Sequence, residues 1–187
     1  MEIYEEITEK ISQFIAEQHV FFVATAAAET QINLSPKGLD TFRIIDRHTI
    51  AYLDYVGSGN ETAAHLLADG RITVMFCAFQ GAANIVRLYG TGEPVLPGDE
   101  GFDDLLALFP PQEKLRQIMR IRVDEAQTSC GYGVPLMTYD RDRETLVKWT
   151  AGKSDDEYAD YQRQNNLTSK QGLPTGLADR LGGADDA

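Results

Sequence analysis

The chain has 187 residues, with 29 Asp+Glu against 17 Lys+Arg and a formal net charge of −12. That length suits one sizeable domain and is short for two. The acidic balance argues against binding along a nucleic-acid backbone or docking on an anionic membrane, both of which call for basic groups. With glycine counted, the apolar share lies in the globular range, so disorder of the whole chain is excluded.

The opening Met1-Glu2-Ile3-Tyr4-Glu5-Glu6 has neither a basic n-region nor an apolar h-region. The longest near-apolar run, 20–28, is nine residues long, well below the about 20 that span a bilayer. A cytoplasmic chain is expected. Ile3, Ile7, Ile11, Phe14 and Ile15 share one helical stripe, which predicts a helix over 3–17. The apolar stretch 21–26 reads as a buried strand, and 31–35 as a second one stopped by Pro36 and Gly38. Residues 41–45 and 49–55 continue a run of short strands. Gly57-Ser58-Gly59-Asn60 then leads into a helix over 61–70, with Asn60 as its N-cap. Strands resume at 72–79 and 85–93, a short helix follows at 102–109, and 117–125 is the last long strand. The segment 142–165 has helical composition with an interruption near Gly152, and 177–187 reads as a frayed tail. Many strands before the first long late helix predict a mainly β domain over 1–176, an antiparallel barrel with peripheral helices.

Chemistry concentrates at the glycine turn. Backbone N–H groups at a strand-to-helix turn, with glycines permitting close approach, form an anion cradle. The turn fails the dinucleotide fingerprint, since Thr62 stands where its third glycine belongs, and it has no Walker Gly-Lys-Ser/Thr. An ordinary flexible turn before a capped helix is the competing reading. Lys37, on the turn after a strand, is either a phosphate donor or a solvated lysine. Arg87 interrupts the apolar strand Ile85-Val86-Arg87-Leu88-Tyr89, so it faces either an exposed edge or a ligand. His19, His48 and His65 show no metal-ligand spacing, and no metal is assigned. His65 is expected on the helix surface, Trp149 in the core, and Cys77 and Cys130 as reduced core thiols, although one disulfide is arithmetically allowed. Ser129-Cys130-Gly131 has no visible partner base, so no catalytic residue is assigned.

Asn33-Leu34-Ser35-Pro36-Lys37-Gly38, Tyr52-Leu53-Asp54-Tyr55, Gly57-Ser58-Gly59-Asn60-Glu61-Thr62, Gly70-Arg71-Ile72 and Arg87-Leu88-Tyr89-Gly90, in that order, resemble the pyridoxamine 5′-phosphate oxidase-like family. The stretch 128–135 and Gly172-Leu173-Pro174 resemble a branch distinct from the biosynthetic oxidase. The resemblance implies a six-stranded Greek-key split β-barrel, a homodimer, and FMN in grooves at the subunit interface. It implies cofactor contacts from Asn33, Ser35, Pro36, Lys37, Gly38, Tyr52, Leu53, Ser58, Gly59, Asn60, Glu61, Thr62 and Arg87. The biosynthetic enzyme carries Arg-Lys where this chain has Glu61-Thr62, so Lys37, Arg43 or Arg71 is expected to supply the positive charge. It also ends in an arginine-bearing segment that this chain lacks, which argues against pyridoxamine 5′-phosphate as substrate. The expected function is a flavoprotein oxidoreductase acting on a small molecule. The alternatives are a non-catalytic module binding flavin, haem or deazaflavin, and a barrel that has lost its cofactor.

Overall fold

The computed structural model describes residues 1–181. Among them are eight strands: β1 (Glu2–Tyr4), β2 (Phe21–Thr25), β3 (Asn33–Lys37), β4 (Phe42–Ile44), β5 (Thr49–Asp54), β6 (Arg71–Cys77), β7 (Ile85–Val95) and β8 (Gln117–Ser129). They form one sheet in the order β3-β2-β6-β7-β8-β5-β4, with β1 on the far end of β8 and every pairing antiparallel. β1 and β4 have three residues and the other six strands five or more, and the mainly β antiparallel split barrel is the fold expected.

Alternation builds the core. Phe21, Val23 and Thr25 of β2 are buried beside Ile72, Val74 and Phe76 of β6 and Val86 and Leu88 of β7, while the residues between them face outward. The sheet then curls. Phe42 on β4, at one end of the strand order, packs edge-on to Phe21 and Phe76 near the other end, with ring centroids 5.1 and 5.0 Å apart. No ladder joins β3 to β4 among the described residues, so the barrel is split along that seam. A bulge at Tyr89/Gly90 lets β7 bend into the curl. Only glycine fits there, since a Cβ on Gly90 would lie 1.9 Å from the Arg122 carbonyl oxygen.

The five helices among the described residues are α1 (Glu9–Ala16), α2 (Glu61–Ala68), α3 (Phe102–Leu106), α4 (Thr145–Ala151) and α5 (Asp155–Asn165). Several expectations need correction. The helix expected over 3–17 starts at Glu9 behind the N-cap Thr8, and Glu2–Tyr4 is a strand instead. β8 runs to Ser129 rather than 125, and its extra length offers Thr128, Gln127 and Ala126 as partners to Glu2, Ile3 and Tyr4. Pro36 does not stop β3 but lies within it, which is tolerated because β3 is an edge strand. The late helical segment is interrupted at Gly152 as expected, but it starts at Thr145 rather than 142, and its second helix is restarted by a Ser154/Glu157 capping box. The end of the chain is not frayed from 177: Leu177 is buried, and the rest of that expectation, 182–187, lies outside the described residues. Trp149 is partly exposed rather than in the core, edge-on to Tyr161 with Lys153 over its ring. Both cysteines are free, Cys77 buried as expected but Cys130 exposed.

Candidate functional site

The seam brings strand ends together. Lys37 closes β3 and Asp54 closes β5, and their side chains meet across the split with Nζ 2.6 Å from Oδ1. Asp54 is 1% exposed, and a carboxylate that deep must be paired. Arg116, immediately before β8, donates from Nη2 to Asp54 Oδ2 at 2.7 Å. Gln117 donates from Nε2 to the same oxygen at 2.8 Å and to Asn60 Oδ1 at 2.7 Å. Burial alone would raise the Asp54 pKa, but the charges of Arg116 and Lys37 outweigh it and hold the carboxyl well below the usual range. Lys37 also lies 5.7 Å from the Tyr52 ring centroid.

Above this pair sits the glycine turn. Asn60 precedes α2, but its side chain makes no cap, contrary to expectation. It is buried instead, accepting from Gln117 and donating to the Asn166 carbonyl at 3.5 Å. Within the helix the first bond to this end is Ala64 N–H to the Asn60 carbonyl, so the N–H groups of residues 61–63 have no side-chain cap. Thr62 Oγ1 accepts from Asn33 Nδ2 at 3.1 Å, tying β3 to the helix start, and Ser35 Oγ donates to Asn33 Oδ1 at 3.3 Å. The result is a cavity of about 340 Å³ lined by Asn33, Ser35, Lys37, Ser58, Asn60 and Thr62, with Pro36, Gly59 and Glu61 at its walls and Asp54 and Arg116 at its base.

Glu61 is held aside. Its Oε1 accepts the Lys170 N–H at 2.8 Å, from the segment that follows α5. The cavity's charged side chains are therefore Lys37 and Arg116 against Asp54 and Glu61. Of the three cations expected at the turn, only Lys37 is there. Arg43 binds Asp40 and the Leu108 carbonyl, and Arg71 binds Asp69.

Other expected site residues fall elsewhere. Tyr52 and Leu53 are buried in the two hydrophobic clusters, and Gly38 gives its carbonyl to Thr41. Burial also pushes the Tyr52 phenol well above its ordinary pKa. Arg87 is on β7 between β6 and β8, so it is on no edge, and its Nη1 donates to Ser129 Oγ at 3.0 Å rather than lining the cavity. His65 is not on the surface; it is 1% exposed beneath α2, its Nδ1 3.2 Å from Thr25 Oγ1. The residues missed were Asp54, Arg116 and Gln117. One signal was available: an acid closing the apolar run Ile50-Ala51-Tyr52-Leu53 must find a partner or stay exposed.

Uncapped N–H groups at a helix start, a lysine and an adjacent hydroxyl thus share one cavity at the seam of a split barrel. The chain belongs to the pyridoxamine 5′-phosphate oxidase family, whose model matches residues 7–130. It is 32% identical over 191 residues to the pyridoxamine 5′-phosphate oxidase family protein ustO of Aspergillus flavus, covering 91% of this chain and 76% of that protein. Among solved structures, Group A Streptococcus HupZ superposes with a TM-score of 0.54 at 21% identity, covering 71% of this chain and 99% of that one. A Lactobacillus delbrueckii structure gives the same TM-score at 16% identity, covering 66% and 95%. At those identities the structures establish the split-barrel fold alone. No helix among the described residues is long and apolar enough to cross a membrane.

Proposed function

We propose that the chain is a flavoprotein that grips FMN by its phosphate at the glycine turn and serves as an oxidoreductase for a small molecule. One observation carries this reading: the uncapped start of α2 and the Lys37 ammonium converge on a single cavity at the barrel seam. The residues fit a phosphate monoester, with N–H groups of 61–63 and the exposed Ser58 hydroxyl as donors and Lys37 as the counter-charge. Asn33 and Ser35, along β3, would hydrogen-bond the ribityl chain. A bound flavin supplies the electron transfer; the protein supplies position and electrostatics.

About 340 Å³ is at the low end for a cofactor pocket, so the ring needs further surface. A second copy would supply it. Ile32 and Leu34, beside and on edge strand β3, are 78% and 63% exposed, and apolar area at a sheet edge favours pairing. A two-fold homodimer with flavin at the interface follows, in a cytoplasmic protein.

A second reading is a non-catalytic carrier on the same barrel. It is favoured by the titratable groups around the cavity: Asp54 is neutralised, Glu61 is tied to Lys170, and the Tyr55 hydroxyl donates to Gln112. All three are engaged in ion pairs or hydrogen bonds. The visible spectrum of protein purified without added cofactor decides first. A flavin band is expected, whereas a haem band or none would overturn the FMN reading. Reduction of the bound flavin by a nicotinamide cofactor, with turnover, then separates enzyme from carrier.

A further inference from the structure

Two glycines and an exposed serine cannot hold a turn in one conformation, because such backbone is loose unless something outside it fixes it. The fixing groups come from two distant parts of the chain: Asn166 Nδ2 donates to the Gly57 carbonyl at 3.0 Å, and the start of β8 holds the rest of the turn. Arg116 Nη1 donates to the Gly59 carbonyl at 2.8 Å while its Nη2 holds Asp54, and Gln117 Nε2 bridges Asp54 to the Asn60 side chain. Adjacent residues at one strand start thus grip adjacent residues of the turn. Asp54 lies directly opposite Gln117 in the β5–β8 ladder, so the anchor is part of the sheet itself. All four residues are nearly closed to solvent: Asp54 1%, Asn60 2%, Arg116 4% and Gln117 0%.

We infer that Arg116, acting with Gln117 on Asp54, is the positioning residue of the glycine turn, fixing the direction in which the turn delivers the N–H groups of residues 61–63 to the cavity. This rests on the flavin reading for its ligand and not for its geometry. A guanidinium suits the task because its planar fork reaches two acceptors at a set angle, whereas an ammonium is a point charge. The division of labour is then clear. Lys37, 23% exposed, is the cation with access to the cavity, and Arg116 is the one that shapes it. Pulling the Gly59 carbonyl inward toward the guanidinium turns the opposite side of that peptide chain outward, where an anion can be met by N–H groups.

The test uses the full chain with FMN and riboflavin as probes, since the two differ only in the phosphate. In Arg116→Lys the charge stays and the fork goes. FMN affinity should fall at least tenfold with riboflavin affinity within about twofold of the parent, and exchange of the Ala64 amide, which is held by the Asn60 carbonyl, should accelerate. Arg116→Gln should do the same. Gln117→Met keeps both cations on Asp54 and removes the amide bridge between Asp54 and Asn60. It should narrow the FMN-to-riboflavin ratio by a smaller factor, and it decides the matter if the Arg116 variants do not fold. A parallel loss for both flavins, or unchanged exchange at Ala64, would overturn the assignment. A parent protein that binds neither flavin would defeat the flavin reading instead, and the exchange measurement would still decide whether Arg116 sets the turn.

Discussion

Two hollows of this molecule differ in kind. One is the seam cavity of about 340 Å³ under the glycine turn; the other, about 510 Å³, lies between the end of α1 and the loop after β8. The larger is bordered by Val20, Phe79, Met137 and the His19–Tyr139 stack, whose ring centroids are 3.7 Å apart. Its polar groups sit on exposed turns and are not organised by one another. In the smaller, a buried carboxylate gathers two cations and an amide from two strand ends and passes that order to a turn. Volume therefore does not set the seam cavity apart. Convergence of mutually dependent polar groups does, because each such burial would be costly alone.

The sharpest way to break the comparison is to remove the hub. Asp54→Ala leaves Arg116 and Gln117 buried without their acceptor, and breaking a buried pair costs about 3–5 kcal/mol. Tyr139→Ala, which takes away one wall of the larger hollow, should stay within about 1 kcal/mol because Tyr139 is 39% exposed. Denaturant unfolding of both variants checks the contrast, and equal losses would erase it. The same carboxylate sets an acid dependence. Its folded pKa is depressed, so its contribution is fully present above the ordinary value of 3.8 and is lost as pH falls below that toward the folded value. Asp54→Asn should flatten the stability curve in that acid window and leave its slope near neutrality unchanged.

Ligand linkage comes next in size. FMN at a hundred times its Kd should stabilise the native protein by about 2.7 kcal/mol. If the groove is shared by two chains, the melting temperature should also rise with protein concentration. Sedimentation read at a flavin wavelength would show a flavin-loaded monomer if it is not shared. Ser58→Ala removes one exposed hydroxyl donor from the turn. A hydrogen bond to a charged group is worth roughly 1.5–3 kcal/mol, so FMN binding should weaken at least about tenfold while riboflavin binding holds. A matching substitution in the larger hollow, Thr138→Ala, should change neither.

Local patterns located most of the strands and the glycine turn, because alternation and glycine spacing are short-range facts. Whatever depended on pairing distant residues was hidden. β1 is three residues long, and Ile3 mimics a helical stripe with Ile7 and Ile11; only the unpartnered end of β8 makes it a strand. His65 was misplaced for want of the same information. The run Thr62-Ala63-Ala64-His65-Leu66 is buried as a block, because α2 packs over β2, β6 and β7, and its small alanines were the available hint. Within the site, the turn was found and its supports were not. Arg116 is 62 residues from Asp54, and Arg116 lies in no motif.

Glu61 gives the smallest expected effect and the finest test of how the seam cavity works. It stands at the wall of a site proposed to take a dianion, yet its Oε1 is the acceptor for the Lys170 N–H. Those two roles separate in two substitutions. Glu61→Gln keeps an oxygen for Lys170 and removes the charge. With the side chain 26% exposed, the repulsion removed is about 1 kcal/mol or less, so FMN should bind up to about fivefold tighter. The gain should shrink as salt is raised toward 1 M, where the screening length is about 3 Å. Glu61→Ala removes charge and acceptor together, and the segment carrying Lys170 then loses one of its ties to the turn. Its FMN affinity should fall below that of Glu61→Gln at every salt concentration. If the two variants bind FMN equally, the Lys170 contact contributes nothing to the cradle. If Glu61→Gln binds more weakly than the parent at low salt, the carboxylate supports the ligand rather than opposing it, and the direction of the cavity's electrostatics is the reverse of the one derived from Lys37.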